Sequence, residues 1–248
     1  MNLKISLGGD VVQYLGAIGL LKALDEAGLN DIEIHCSGFS CIPTLLWFYN
    51  KNSAYNVISK MWEETLKTFP NASKPSLKEL SKSLLVLLKM QKRLDPSASK
   101  EKILQFVDKW IPEQKLEDIA NLRIYAYNLT ESKEEILSGN SKEAIAKAIA
   151  YPIDFSPVDS YISLSWVVGI PDGDVIIYLD WDKDIQPQKA TDYLLISTFA
   201  RSFELTKQKK SKAKFCSEIN LKSFADISSI SKRFYDSGRQ LVSLVTQK

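Results

Sequence analysis

Three groups of residues carry side chains suited to acid–base or covalent chemistry. The first is Ser40, in Gly38-Phe39-Ser40-Cys41-Ile42. A serine after an apolar strand and before a helix can sit on a sharp turn, its hydroxyl raised above the sheet near the positive end of the helix. The same position also suits an ordinary helix N-cap. The second group is acidic: Asp154, Asp159 and Asp172. Asp172-Gly173 is a tempting base for Ser40, but it lies in Pro171–Asp174 between two apolar runs, which predicts a hairpin turn. Asp154 and Asp159 sit in loop-like surroundings and are expected to be solvated. The third group is His35 with Cys36 and Cys41. A cysteine–histidine pair can do nucleophilic chemistry. A buried polar histidine and two small apolar cysteines explain the same residues more simply.

Composition narrows the choices. Three cysteines without CxxC spacing argue against a disulfide framework and a zinc cluster, and the single histidine excludes a multi-histidine metal site. No cofactor is expected. A formal net charge of +2 gives no electrostatic reason to expect nucleic acid. The N-terminal MNLKISLGGD lacks the apolar stretch of a signal peptide, and Leu84–Leu88 is too short an apolar run to span a bilayer. These features fit a reducing, cytoplasmic setting. The basic run Lys207, Lys209, Lys210, Lys212 and Lys214 reads as a solvated, mobile stretch, with contact to anionic lipid or a protein as the functional alternative.

The elements that must position these residues follow from hydrophobic period. Leu3–Leu7 and Ile32–Cys36 read as strands, each followed by a turn and a helix, at Leu15–Ala27 and Pro43–Tyr49. This repeat implies a βαβ unit with a parallel sheet. Ser53–Ile111 reads as helical, broken by loops at Asn71–Pro75 and Asp95–Ser99, with an amphipathic stripe from Leu77 to Leu88 between them. A strand at Leu122–Leu129 and a helix at Ser141–Ala150, capped by Ser141, come next. Tyr161–Ile170 and Val175–Trp181 read as the two strands of the hairpin. Thr191–Thr206, Ile219–Leu221 and Ile227–Val245 supply a helix, a short strand and a closing helix. The expected fold is one domain over residues 1–248, a three-layer α/β/α sandwich with a mostly parallel sheet and a helical insertion around residues 51–119.

The first fifty residues resemble the start of patatin-like phospholipases. That family has a strand ending in a G-G-G-x-[RK]-G oxyanion loop, a helix, a second strand and a G-x-S-x-G nucleophile elbow. Here Gly8-Gly9-Asp10 opens the loop, and Gly16-Ala17-Ile18-Gly19-Leu20-Leu21 is similar to the family's helix. Further on, Asn128-Leu129-Thr130 and Ala144–Val158 look like the family's later segments, so the resemblance covers most of the chain.

The resemblance implies a Ser40 nucleophile, and it also locates the departures. Ile42 stands where the elbow's second glycine should be. Asp10, Val11 and Val12 follow Gly8-Gly9, Gln13 replaces the basic residue, and Tyr14 the glycine after it. Valine disfavours the backbone that aims N–H groups inward, and Asp10 is expected to oppose a developing oxyanion. Ungapped matching from Phe155-Ser156-Pro157-Val158 puts Ser163 where the family has its catalytic Asp. The expectation is a catalytically impaired homologue that binds a lipid, an acyl chain or a protein partner. An active lipid acyl hydrolase using Ser40 and an unorthodox carboxylate is the alternative.

Overall fold

Parallel pairing organises the sheet. In the computed structural model, β1 (Leu3–Gly9) lies in register with β2 (Ile32–Gly38), from Leu3 opposite Ile32 to Gly9 opposite Gly38. Beside β2 runs β3 (Leu122–Asn128), and beside β1 run β6 (Val175–Asp180) and then β7 (Phe215–Asn220), all parallel. Two antiparallel strands complete the seven: β4 (Lys133–Ile136) and β5 (Tyr161–Ser163), both on β3. The helices are α1 (Ile18–Glu26), α2 (Cys41–Thr68), α3 (Pro96–Trp110), α4 (Ser141–Ala148), α5 (Ala190–Lys212) and α6 (Ile227–Thr246). They lie on both sides of the sheet, giving the expected α/β sandwich. The structure describes residues 3–29, 32–70, 72–73, 96–152, 155–180, 190–220 and 226–246. The Leu77–Leu88 stripe and Asp154 lie outside them.

The two faces of the sheet differ in chemistry because side chains alternate along each strand. Leu122, Ile34, Ile5 and Val175 form one row across four strands, and Ile124, Cys36, Leu7 and Ile177 the next. All eight are buried. The opposite face carries Arg123, His35 and Ser6, with Ser37 and Gly8 one step further along. Ser6 Oγ donates to Pro171 O at 2.6 Å, which ties the 164–174 segment across this face.

Glycines in the family-like helix serve packing. A Cβ on Gly19 would lie 1.9 Å from Ser231 O, and one on Gly16 would lie 2.4 Å from Ile230 Cγ2. The spacing lets the first helical segments approach α6 at backbone distance. Tyr14 and Phe234 join the contact, their ring centroids 6.0 Å apart.

Several sequence expectations need correction. The chain after Gly9 enters a 3₁₀ turn over Val12–Ala17 before α1 begins, so the helix predicted from Leu15 starts later. The helix predicted over Pro43–Tyr49 runs to Thr68 through a kink at Asn50 (φ −158°, ψ 92°). Pro96–Ser99, read as loop, is the first turn of α3, where proline's missing N–H costs nothing. The cap of α4 is Asn140, whose side chain accepts from Lys142 N, rather than Ser141. Residues 207–212 belong to α5 and not to a mobile basic stretch.

The largest correction is the hairpin. Tyr161–Ser163 pairs with β3, a 3₁₀ turn follows at Leu164–Trp166, and Val175–Asp180 pairs parallel with β1. The apolar residues 164–170 cross over the sheet instead of joining it. Local alternation could not distinguish these outcomes, because a crossing segment packed on a sheet also buries apolar side chains.

Candidate functional site

Ser40 stands where β2 ends and α2 begins, but its turn is relaxed. Its backbone is helical (φ −66°, ψ −20°), and the positive φ falls on Gly38 (+60°). Gly38 is required there twice over: a Cβ would lie 2.2 Å from Gly9 O, and side chains disfavour that φ. The Ser40 hydroxyl is wholly buried and reaches backward, to Leu7 O at 3.0 Å and Ser37 O at 2.9 Å. With one proton to donate, the hydroxyl is shared between two carbonyls at the ends of β1 and β2. It makes no capping bond to α2, so the N-cap explanation does not describe its role. Among the described residues, no carboxylate is a hydrogen-bond partner of Ser40 Oγ.

The segment after Gly8-Gly9 is core. Val11, Val12, Gln13 and Tyr14 are all buried, and Val12 N–H is already bonded to Ala72 O at 3.2 Å. Tyr14 fills the space over Gly9, where a Cβ would lie 2.2 Å from its ring, and its hydroxyl accepts Leu179 N–H at 2.9 Å. This is the crevice between β1 and β6 where the strand order reverses. Open α/β sheets commonly bind ligands at such a point. On the elbow's other side Phe39 meets Phe69 edge-on at 4.8 Å, and Phe69 also packs on Phe106 and Phe155. The described depressions lie elsewhere. Of about 410 and 650 Å³, they are lined by residues such as Tyr49, Gln114 and Asp118, just before β3 begins, at the opposite end of the sheet from the elbow.

The structure does join two residues that sequence analysis treated as separate defects. Ser163 Oγ donates a hydrogen bond to Asp10 Oδ1, and both residues are buried. Strand register explains the meeting. Tyr125 of β3 pairs with Ser37 and with Ile136, so β2 and β4 flank β3 on opposite edges. Ala126–Asn128 pair with both β4 and β5, so β5 occupies the β2 edge beyond the point where β2 turns away. Ser163, the end of β5, therefore arrives beside the turns that follow β1 and β2. The sequence signal was a reciprocal one: an acid at a glycine position and a hydroxyl at an acid position.

Asp10 is not simply an added negative charge. Burial raises its pKa to about 7, against the opposing pull of the Ser163 and Ser165 hydroxyls. Among the described residues, Ser165 Oγ, Ser37 Oγ and Gln13 Oε1 find no partner at hydrogen-bonding geometry. Three other candidates have partners of their own. The Asp172 side chain is 76% exposed and lies 3.9 Å from Lys209 Nζ. Asp159 is held by Lys100, which lowers its pKa. His35 Nδ1 meets Tyr125 Oη at 3.0 Å, and burial lowers the His35 pKa. Cys41 is buried beside Cys36, and burial pushes its thiol pKa well up, which disfavours a thiolate. Among the described residues, no group of three or more His, Cys, Asp or Glu could hold a metal ion, and no helix is long and apolar enough to cross a membrane.

Comparison with known proteins finds a likeness of fold. No family model matches the chain, and no curated protein matches it. Among solved structures, VipD from Legionella pneumophila aligns with a TM-score of 0.52 at 12% identity, over 97% of this chain. The chain spans 66% of the length of the VipD chain.

Proposed function

We propose that this chain is a patatin-fold protein that has given up acyl hydrolysis at Ser40 and acts by binding a protein partner or an acyl or lipid ligand. One observation carries the reading: the Ser40 hydroxyl is wholly buried and donates to the backbone carbonyls of Leu7 and Ser37. A nucleophilic serine needs a base to take its proton and an open approach for the acyl carbon. Tyr14 over Gly9, and Phe39 packed on Phe69, support the same reading by filling the space around the turn. The fold likeness and the Gly8–Leu24 sequence pattern support the lineage.

The test is hydrolysis of p-nitrophenyl esters of short and medium chain length, together with fluorophosphonate labelling. Background rates, unchanged in Ser40→Ala, are expected. A robust rate and a label that both vanish in a folded Ser40→Ala protein would overturn the proposal and restore the hydrolase alternative.

A further inference from the structure

Asp10 is an ionisable group buried at a three-way junction, with no cation paired to it among the described residues. Its carboxylate accepts from Ser163 at the end of β5, and a Cβ on Gly38 at the end of β2 would lie 3.2 Å from Asp10 Oδ1. β2 presents backbone here, and β5 with its 3₁₀ turn presents the Ser163 and Ser165 hydroxyls. Within its own segment the titratable neighbour is Tyr14, kept neutral by burial, with Tyr178 and Cys216 beyond it. No Lys, Arg or His among the described residues pairs with the Asp10 carboxylate. An uncompensated buried charge is costly, and the structure relieves it by protonation or by local opening. The strap that would open is short. β5 has three residues, and Ser163 N–H is held by Ala150 O at 3.0 Å.

We propose that the burial of Asp10 beneath the β5 end is a proton-dependent latch, keeping that end closed onto the β1 and β2 turns when Asp10 is neutral and loosening it when Asp10 is ionised, with the Ser163 hydroxyl partly offsetting the cost of the charge. The direction follows from linkage. Burial pushes the Asp10 carboxyl up to about 7 in the closed form, from its ordinary value of 3.8 when solvated. Closure is therefore firmest below pH about 4, weakens as pH rises, and levels off above about 7. Trp166, three residues after Ser163, packs edge-on against Phe199 at 4.5 Å and Tyr151 at 5.3 Å, which anchors the turn that follows β5.

The experiment is amide hydrogen exchange on the full chain between pH 5 and 8.5, corrected for the intrinsic pH dependence of exchange. For the Ser163 amide, the opening equilibrium should rise by up to about ten-fold per pH unit to pH 7, then flatten. Amides of the β1–β2 ladder, such as Ile34, should not follow it. Asp10→Asn should abolish the slope. In Ser163→Ala, loss of a bond that favours the charged form should move the plateau to higher pH, which tests the contact even if the Asp10 variant fails to fold. The latch is refuted by a flat Ser163 profile in the unaltered protein, by the same slope in Asp10→Asn, by an unmoved plateau in Ser163→Ala, or by ladder amides that change in step with Ser163.

Discussion

Two buried serines stand within the same end of the sheet, and their hydroxyls have different partners. Ser40 donates to Leu7 O and Ser37 O, groups that do not titrate. Ser163 donates to Asp10, which does. The first arrangement closes a turn permanently; the second makes the stability of a neighbouring strand depend on pH. A serine's chemical meaning is thus set by what its proton meets. Both hydroxyls are equally hidden from solvent, so burial alone would not have separated them.

The widest test of the comparison is to remove what seals the space beside both serines. Tyr14→Ala deletes a wholly buried ring over Gly9 and leaves Leu179 N–H without its acceptor. A loss of about 3–5 kcal/mol is expected in urea unfolding; a loss below about 1 kcal/mol would mean that the crevice collapses without its plug. Next is the titration of Asp10. Its raised pKa destabilises the fold as pH climbs from about 4 to about 7, by at most roughly 4 kcal/mol in total. Asp10→Asn should be flatter over this window and more stable than the unaltered protein at pH 8, as read by chemical denaturation. An Asn variant less stable at pH 8 would show that Asp10 has a compensating partner.

Smaller effects sharpen the Ser40 side. Gly38→Ala forces a Cβ against Gly9 O at a positive φ, and a cost of about 2–3 kcal/mol is expected. Thermal unfolding measures it, and an unchanged midpoint would mean that the turn can adopt another backbone. Ser40→Ala is the mildest change. It leaves two buried carbonyls without that donor, at a cost of about 1 kcal/mol with no dependence on pH between 5 and 8. A pH-dependent loss in this variant would tie Ser40 to Asp10 and dissolve the distinction between the two serines.

Much of the scaffold was legible in sequence because it rests on local rules. Ile5, Leu7, Ile34 and Cys36 alternate as strand residues of a one-sided apolar face must, and the strand–turn–helix repeat fixes parallel pairing of β1 and β2. The sequence also marked Ser40 as the match to a recognisable pattern, and Asp10 and Ser163 as departures from it. Gly16 and Gly19 were visible too, although their reason, contact with Ile230 and Ser231 more than two hundred residues along the chain, was not.

Tertiary structure alone decided the rest. Whether residues 164–170 extend a strand or cross over the sheet depends on which edge β5 finds, and that edge exists only because β2 turns away at Gly38. Whether Asp10 is a solvated charge or a buried acid near its titration point depends on Ser163, which lies 153 residues distant in the chain. Alternation and spacing encode which face a side chain takes over a few residues. They do not encode which two strand ends meet, because that is set by the packing of the whole sheet.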